Sequence, residues 1–387
     1  MLNKQTFFKY VVLLNVVLSA PHGLAIEVVP PRLDLSAYVL MDADSGQVLA
    51  ADNLDEQIGV AGLTKLMTTY VIFDAVQQQK LTPDTVIDIA EIGAHTTTPE
   101  VLKSGPRMFL QSHSKITLAD LLKGLIIQNG NDAALVLAQH IAGNELAFVE
   151  RMNAVAKKLG MSKTHFNNVA GVAGREHYST AFDLALLSRA LIRNHASSYA
   201  MFAEKQFVYN NIQQTSRNNL LWKNTGVDGL QTSYSIAEGY CAAISAKRNN
   251  MRLIAIVLGA GNEREWTTAV DALLEWGYRY FETHKLYSAE QVLYRAAISD
   301  GNMRKVALRL AEDLYVTVPH GHYEELTLNM AVQKNLMAPV AERAVIGRVE
   351  VMLANEVLKS PALIAAQAVP QGNAVQRLFN DVMSMFE

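Results

Sequence analysis

The sequence predicts an α/β fold followed by a small β-rich domain. Three observations carry that expectation. Strand-like runs at 37–42 and 47–50 precede a long helical stretch, and strand-like runs return between 205 and 259. From 62 to 193, apolar residues recur mostly at helical spacing. Near His284 the pattern turns to short strands broken by turns. Strands that flank a helical insertion are expected to share one sheet, with helices packed against it.

The elements follow in order. Ala37-Tyr38-Val39-Leu40-Met41-Asp42 and Gln47-Val48-Leu49-Ala50 are joined by the turn signal Asp44-Ser45-Gly46, which predicts a hairpin. A helix is expected over 62–79, where Leu63, Leu66, Met67, Tyr70, Val71 and Ala75 share the apolar surface. It is apolar on more than one side, as a helix inside a domain should be. Helices are expected over 118–127, 132–141 and 147–159, with Gln128-Asn129-Gly130-Asn131 breaking the first from the second. Thr180-Ala181-Phe182-Asp183 reads as a capped start to a helix ending near Arg193. Leu253–Leu258 is a wholly apolar strand, and 267–282 is a final helix with Val270, Leu273, Leu274, Trp276 and Tyr280 inward. Strands at 306–310, 314–318, 326–330, 345–352 and 363–368 make the second domain.

The two ends read differently. Lys4 and Lys9, a short apolar core at 10–18 and Gly23-Leu24-Ala25 match a secretory signal peptide over 1–25, with an uncleaved anchor as the alternative. The mature chain is expected to begin at Ile26. Removing it takes away two lysines and no acids, so the formal net charge moves from −3 to −5. That balance argues against nucleic acid as a partner. Cys241 is the only cysteine, so no internal disulfide exists, and its apolar setting predicts a buried, inert thiol. Export without disulfides fits a bacterial periplasm. In the tail from 372 to 387, Val375, Leu378, Phe379, Val382, Met383 and Phe386 fall on one helical face. That face would rest on the membrane surface, on the protein itself or on a partner. No metal-ligand spacing or phosphate loop is present, and His320-Gly321-His322 reads as a surface turn rather than a ligand pair. No cofactor or metal is expected.

The most informative stretch is Ala61-Gly62-Leu63-Thr64-Lys65-Leu66-Met67-Thr68-Thr69-Tyr70. Positions three apart share a helix face, so a serine at 62 would set its hydroxyl beside the Lys65 amine. That is the Ser-x-x-Lys arrangement of penicillin-binding proteins and serine β-lactamases. Nearly the whole chain resembles the D-alanyl-D-alanine carboxypeptidases of the penicillin-binding protein 5 and 6 type. The resemblance implies a β-lactamase-like transpeptidase fold over 26–283 and a β-rich domain over 284–371.

It also implies a set of roles. In that family a serine attacks the terminal amide of a peptidoglycan stem peptide and the lysine accepts its proton. A Ser-Gly-Asn loop relays the proton, a Lys-Thr-Gly strand lines the other wall, and a later arginine binds the free carboxylate. Here the nucleophile position is Gly62 and the base position Lys65 is kept. The relay serine falls on Asn129 and the loop asparagine on Asn131. Lys-Thr-Gly falls on Gln231, Thr232 and Ser233, and the arginine on Gly261. Four separated segments have therefore lost chemistry.

Glycine cannot form an acyl-enzyme. Asn129 can hydrogen-bond but cannot relay a proton as a hydroxyl does. Gln231 removes a positive charge. Lys65 is expected to cap a pocket or pair with an acid, and Asn131 and Thr232 to be structural or to make weak ligand contacts. Thr64, Ser233 and Ser235 are substitute nucleophiles by residue type alone, because none has a lysine three residues on. The expected function is that of a catalytically inactive envelope protein, structural or regulatory. Envelope proteins are its expected partners, with a stem peptide or the membrane surface as further ones. A non-covalent peptidoglycan-binding module and a carboxypeptidase with a rearranged site are the alternatives.

Overall fold

The computed structural model describes residues 28–79, 81–90, 99–103 and 105–373. The expected signal peptide and the apolar face of the tail lie outside the described residues.

Strands β1 (Ala37–Asp42) and β2 (Val48–Asp52) form the expected hairpin. Strands β3 (Val227–Ser235), β4 (Gly239–Arg248) and β5 (Met251–Ala260) join them in one antiparallel sheet, in the order β2-β1-β5-β4-β3. The first strand of the chain thus pairs with the last strand of the domain, Val39 opposite Ile256. Both are apolar and fully buried, because helices cover the sheet.

The main helices are α1 (Thr64–Gln79), α2 (Leu118–Ile126), α3 (Asn131–Ala142), α4 (Glu145–Lys158), α5 (Ala181–Asn194) and α6 (Glu263–Tyr280). The α1 helix begins two residues later than the periodicity suggests, since Ala61–Leu63 is a tight 3-10 turn. Leu66, Met67 and Ile72 are wholly buried, which accounts for a helix apolar on several sides. Four starts are capped as their sequences dictate. Thr117, Asn144, Thr180 and Asn262 each accept a backbone N–H from three residues on. The last helix stops at Tyr280, so Phe281 and Glu282 are strand rather than helix.

Strands β6 (Phe281–Tyr287), β7 (Tyr294–Ser299), β8 (Lys305–Leu310), β9 (Leu314–Pro319), β10 (Thr327–Val332), β11 (Leu336–Met337), β12 (Val345–Leu353), β13 (Glu356–Lys359) and β14 (Ala362–Ala365) build the second domain. One sheet runs β10-β12-β14-β8-β7-β11, with β13 also on β12, while β6 pairs with β9. Its core is separate, with Val306, Leu308, Val316, Val318, Val349 and Val351 at its centre. Strands β6 and β7 escape the sequence pattern because charged, half-exposed residues dilute their alternation.

The two domains meet through a polar seam. Thr283 donates its hydroxyl to the buried Asp42 carboxylate at 2.8 Å, and the Ser45 and Thr317 hydroxyls pair at 2.6 Å. Lys359 donates to the Ser45 carbonyl. Buried polar groups with partners fix an orientation that apolar packing alone would leave loose. His320 and His322 lie beside Glu282 and Glu325. Among the described residues no three His, Cys, Asp or Glu side chains are grouped to hold a metal. No described helix is long and apolar enough to cross a membrane.

Candidate active-site cleft

A cleft of about 560 Å³ opens where the start of α1, the loop before α3 and the end of β3 converge. Gly62, Lys65, Asn129, Asn131 and Ser233 all line it, although 171 positions separate the first from the last. These five residues meet at one place. Gln231, Thr232 and Gly261 are not among the lining residues, although the Thr232 carbonyl holds Asn129 there.

The volume in front of Gly62 is already filled. A Cβ added there would come within 2.9 Å of Asn129 Nδ2 and 3.1 Å of Ser233 Cβ. The nucleophile position, the relay position and the third position of the wall strand therefore form one packing unit. Asn129 is held in place for that purpose. It sits at φ 59°, a left-handed conformation that asparagine tolerates, and its amide donates to the Thr232 carbonyl at 3.1 Å. Position 232 therefore acts on the cleft through this carbonyl, which anchors Asn129, and not through its side chain.

Lys65 is wholly buried, and its would-be neighbour at position 62 would lie 3.5 Å from Nζ. Its ammonium donates to the Ala170 carbonyl at 2.8 Å, so it holds a backbone segment rather than an acid. Burial pushes its pKa down to about 7, Arg217 pushes the same way, and Asp132 opposes. An amine near pKa 7 has the basicity a proton acceptor needs at neutral pH, yet no hydroxyl at position 62 stands before it.

The facing segment is clamped at several points. Thr64 and His177 share a 2.7 Å hydrogen bond between Oγ1 and Nε2. Burial first, then His165 and Lys65, lowers the His177 pKa to about 4, so the ring is neutral at pH 7. Thr64 is fully buried and absent from the cleft lining, which removes it as a substitute nucleophile. Gly171 has φ +85°, and a Cβ there would meet the Ala61 carbonyl oxygen at 1.7 Å, so only glycine lets the backbone lie this close.

Gln231 lies two residues before Ser233 in β3, on the same face of the strand. Its amide donates to the carbonyls of Leu125 and Ile126 at 3.2 and 3.4 Å, at the C-terminal end of α2. Helix-end carbonyls want donors or cations, so glutamine serves there without charge. Asn131 donates to the Val101 carbonyl at 2.7 Å, a structural bond. The Gly261 N–H donates to the Glu265 carboxylate at 2.8 Å, within the start of α6. Cys241 is buried, with its thiol pushed up to about 11 by desolvation, in keeping with an inert residue.

Three functional features escape sequence reasoning. Arg217 lines the cleft from the segment before β3, and no spacing relates it to the other site residues. Glu238 also lines the cleft, with its carboxyl pKa raised by burial, and Ser235 accepts its backbone N–H at 3.0 Å. Asp132 accepts the N–H groups of Met108, Leu110 and Ala133 at 2.9, 3.0 and 2.9 Å, tying the loop 108–110 to the start of α3. Between these groups, Asn129 Oδ1, Ser233 Oγ and Glu238 Oε2 are buried without a hydrogen-bond partner among the described residues. The cleft can hold a polar ligand, and position 62 offers no hydroxyl to Lys65.

The model for the D-alanyl-D-alanine carboxypeptidase family matches residues 25–262, and that for the penicillin-binding protein 5 C-terminal domain matches 281–371. The chain is 36% identical over 373 residues to D-alanyl-D-alanine carboxypeptidase DacC of Escherichia coli strain K12, covering 95% of this chain and 93% of the relative. It is 35% identical over 356 residues to DacA of Haemophilus influenzae strain Rd, covering 91% and 90%. The solved penicillin-binding protein 5 of H. influenzae superposes with a TM-score of 0.81 at 35% identity, covering 89% of this chain and 99% of that one. Penicillin-binding protein 6B of E. coli gives 0.71 at 31%, covering 87% and 97%. The likeness runs through both domains.

Proposed function

This chain belongs to the D-alanyl-D-alanine carboxypeptidase family, and on that premise we propose that it is a member without peptidase activity. It acts as a structural or regulatory component of the cell envelope, on the periplasmic side, with other envelope proteins as partners. The observation that carries this reading is the filled space at Gly62. Losing a nucleophile from a cooperating set costs on the order of 10⁶-fold in rate, and here its volume has been given to Asn129 and Ser233. A second reading, non-covalent binding of a stem peptide, draws support from the cleft itself. Its unpartnered Asn129 Oδ1 and Ser233 Oγ and its Arg217 guanidinium suit a ligand with N–H and carboxylate groups.

Incubation with a D-Ala-D-Ala-terminated pentapeptide tests the proposal, with free D-alanine as the readout. The expected result is release at the level of a no-enzyme control. Release that scales with protein concentration and disappears in Lys65→Met would reject it. Sedimentation with purified sacculi separates the two readings. The scaffold stays in the supernatant, whereas a peptidoglycan binder pellets unless Arg217 is replaced by alanine.

A further inference from the structure

Strand β10 is the edge of the second-domain sheet, and its outer backbone groups have no strand partner among the described residues. Edge strands of this kind are usually blunted by charge, proline or a bulge. Thr327-Leu328-Asn329-Met330-Ala331-Val332 carries none of these, and its pairing with β12 is regular.

The side chains are also arranged for continuation. Leu328 and Met330 stand opposite Val351 and Val349, both fully buried, so they belong to the core face of the sheet. Yet they are 40% and 41% exposed, because the sheet ends there. The apolar layer stops one strand short of cover.

We propose that β10 pairs antiparallel with β10 of a second copy, making a continuous sheet across a twofold axis. Backbone groups point outward at alternate residues, so opposite residues must share the same parity. A twofold centred on Asn329 satisfies this. It sets Leu328 opposite Met330 of the partner subunit and Thr327 opposite the partner's Ala331. It also brings the exposed Glu324 toward the partner's Lys334, twice over by symmetry. Apolar pairs and opposite charges across strands stabilise such a ladder, while like charges oppose it. With six residues a side, the association is reversible rather than obligate.

Sedimentation across the micromolar range should show wild-type dimer replacing monomer as concentration rises. Asn329→Lys sets two ammonium groups face to face on the axis without touching the core, and should raise the dissociation constant by at least about tenfold. Register is read by cysteine crosslinking. Asn329→Cys places the two cysteines about 4.5–5.5 Å apart between Cα atoms, within disulfide reach. Thr327→Cys places its pair four residues out of register, about 13 Å apart. The native Cys241 is buried and gives little background. Asn329→Cys should therefore yield a reducible dimer under mild oxidation and Thr327→Cys should not. A wild type that stays monomeric, equal crosslinking of the two variants, no crosslink at Asn329→Cys, or no effect of Asn329→Lys would each overturn the proposal.

Discussion

Gly62→Ser alone is expected to yield no penicillin-labelled protein and to lose stability. The new side chain enters space held by Asn129 Nδ2 and Ser233 Cβ, and overpacking of this kind costs about 1–3 kcal/mol. Adding Asn129→Ser and Ser233→Gly should recover that stability, because all three positions share one volume. Their effects are then non-additive, as expected of residues in contact. The triple variant regains a hydroxyl beside Lys65 and a relay hydroxyl, but still lacks cationic groups at 231 and 261. Each missing charge contact can cost roughly 10²–10³-fold. Labelling should therefore become measurable when Gln231→Lys and Gly261→Arg complete the set. Fluorescent penicillin on a gel, with thermal denaturation on the same samples, follows both effects. Strong labelling of Gly62→Ser by itself would show that the filled volume is no obstacle.

Replacing Lys65 by methionine should stabilise the protein at pH 6. The sign follows from the two states. The unfolded amine titrates near 10.4 and the folded one near 7, so the unfolded chain binds the extra proton as pH falls. Stability is lost through that window, and below pH 7 the full cost, about 5 kcal/mol, is present. Methionine removes this cost but leaves the Ala170 carbonyl without its donor, which takes back about 1–3 kcal/mol. A net gain of about 2 kcal/mol or more is expected at pH 6, shrinking through pH 9 and reversing above pH 10. Thermal unfolding of both proteins across that range checks it. A gain that does not vary with pH would mean burial of the amine is not its source.

The sequence was informative where chemistry is written in residue type. The absence of a nucleophile at 62, the retained lysine at 65 and the altered residues at 129, 231, 233 and 261 are all visible without coordinates. The α/β body follows from helical spacing in α1 to α5 and from the apolar strand β5. What could not be read is where side chains point. Position 231 shares the strand face of Ser233, yet its amide is taken up by the carbonyls at the end of α2, and nothing in the sequence says that a helix end would reach it. The filling of the Gly62 space depends on three segments meeting in three dimensions. Arg217 and Glu238 are ordinary charged residues until the fold brings them to the cleft. His177 is one of 10 histidines, and only its contact with Thr64 distinguishes it.

We propose that this cleft is not acylated, because position 62 brings no hydroxyl to Lys65. The direct measurement is intact-mass spectrometry of the wild-type protein after incubation with excess penicillin. The account predicts an unchanged mass under conditions that fully label a catalytic member of the family. A mass increase of one opened penicillin, mapped by peptide analysis to Ser233, Ser235 or another residue of the cleft, would contradict it.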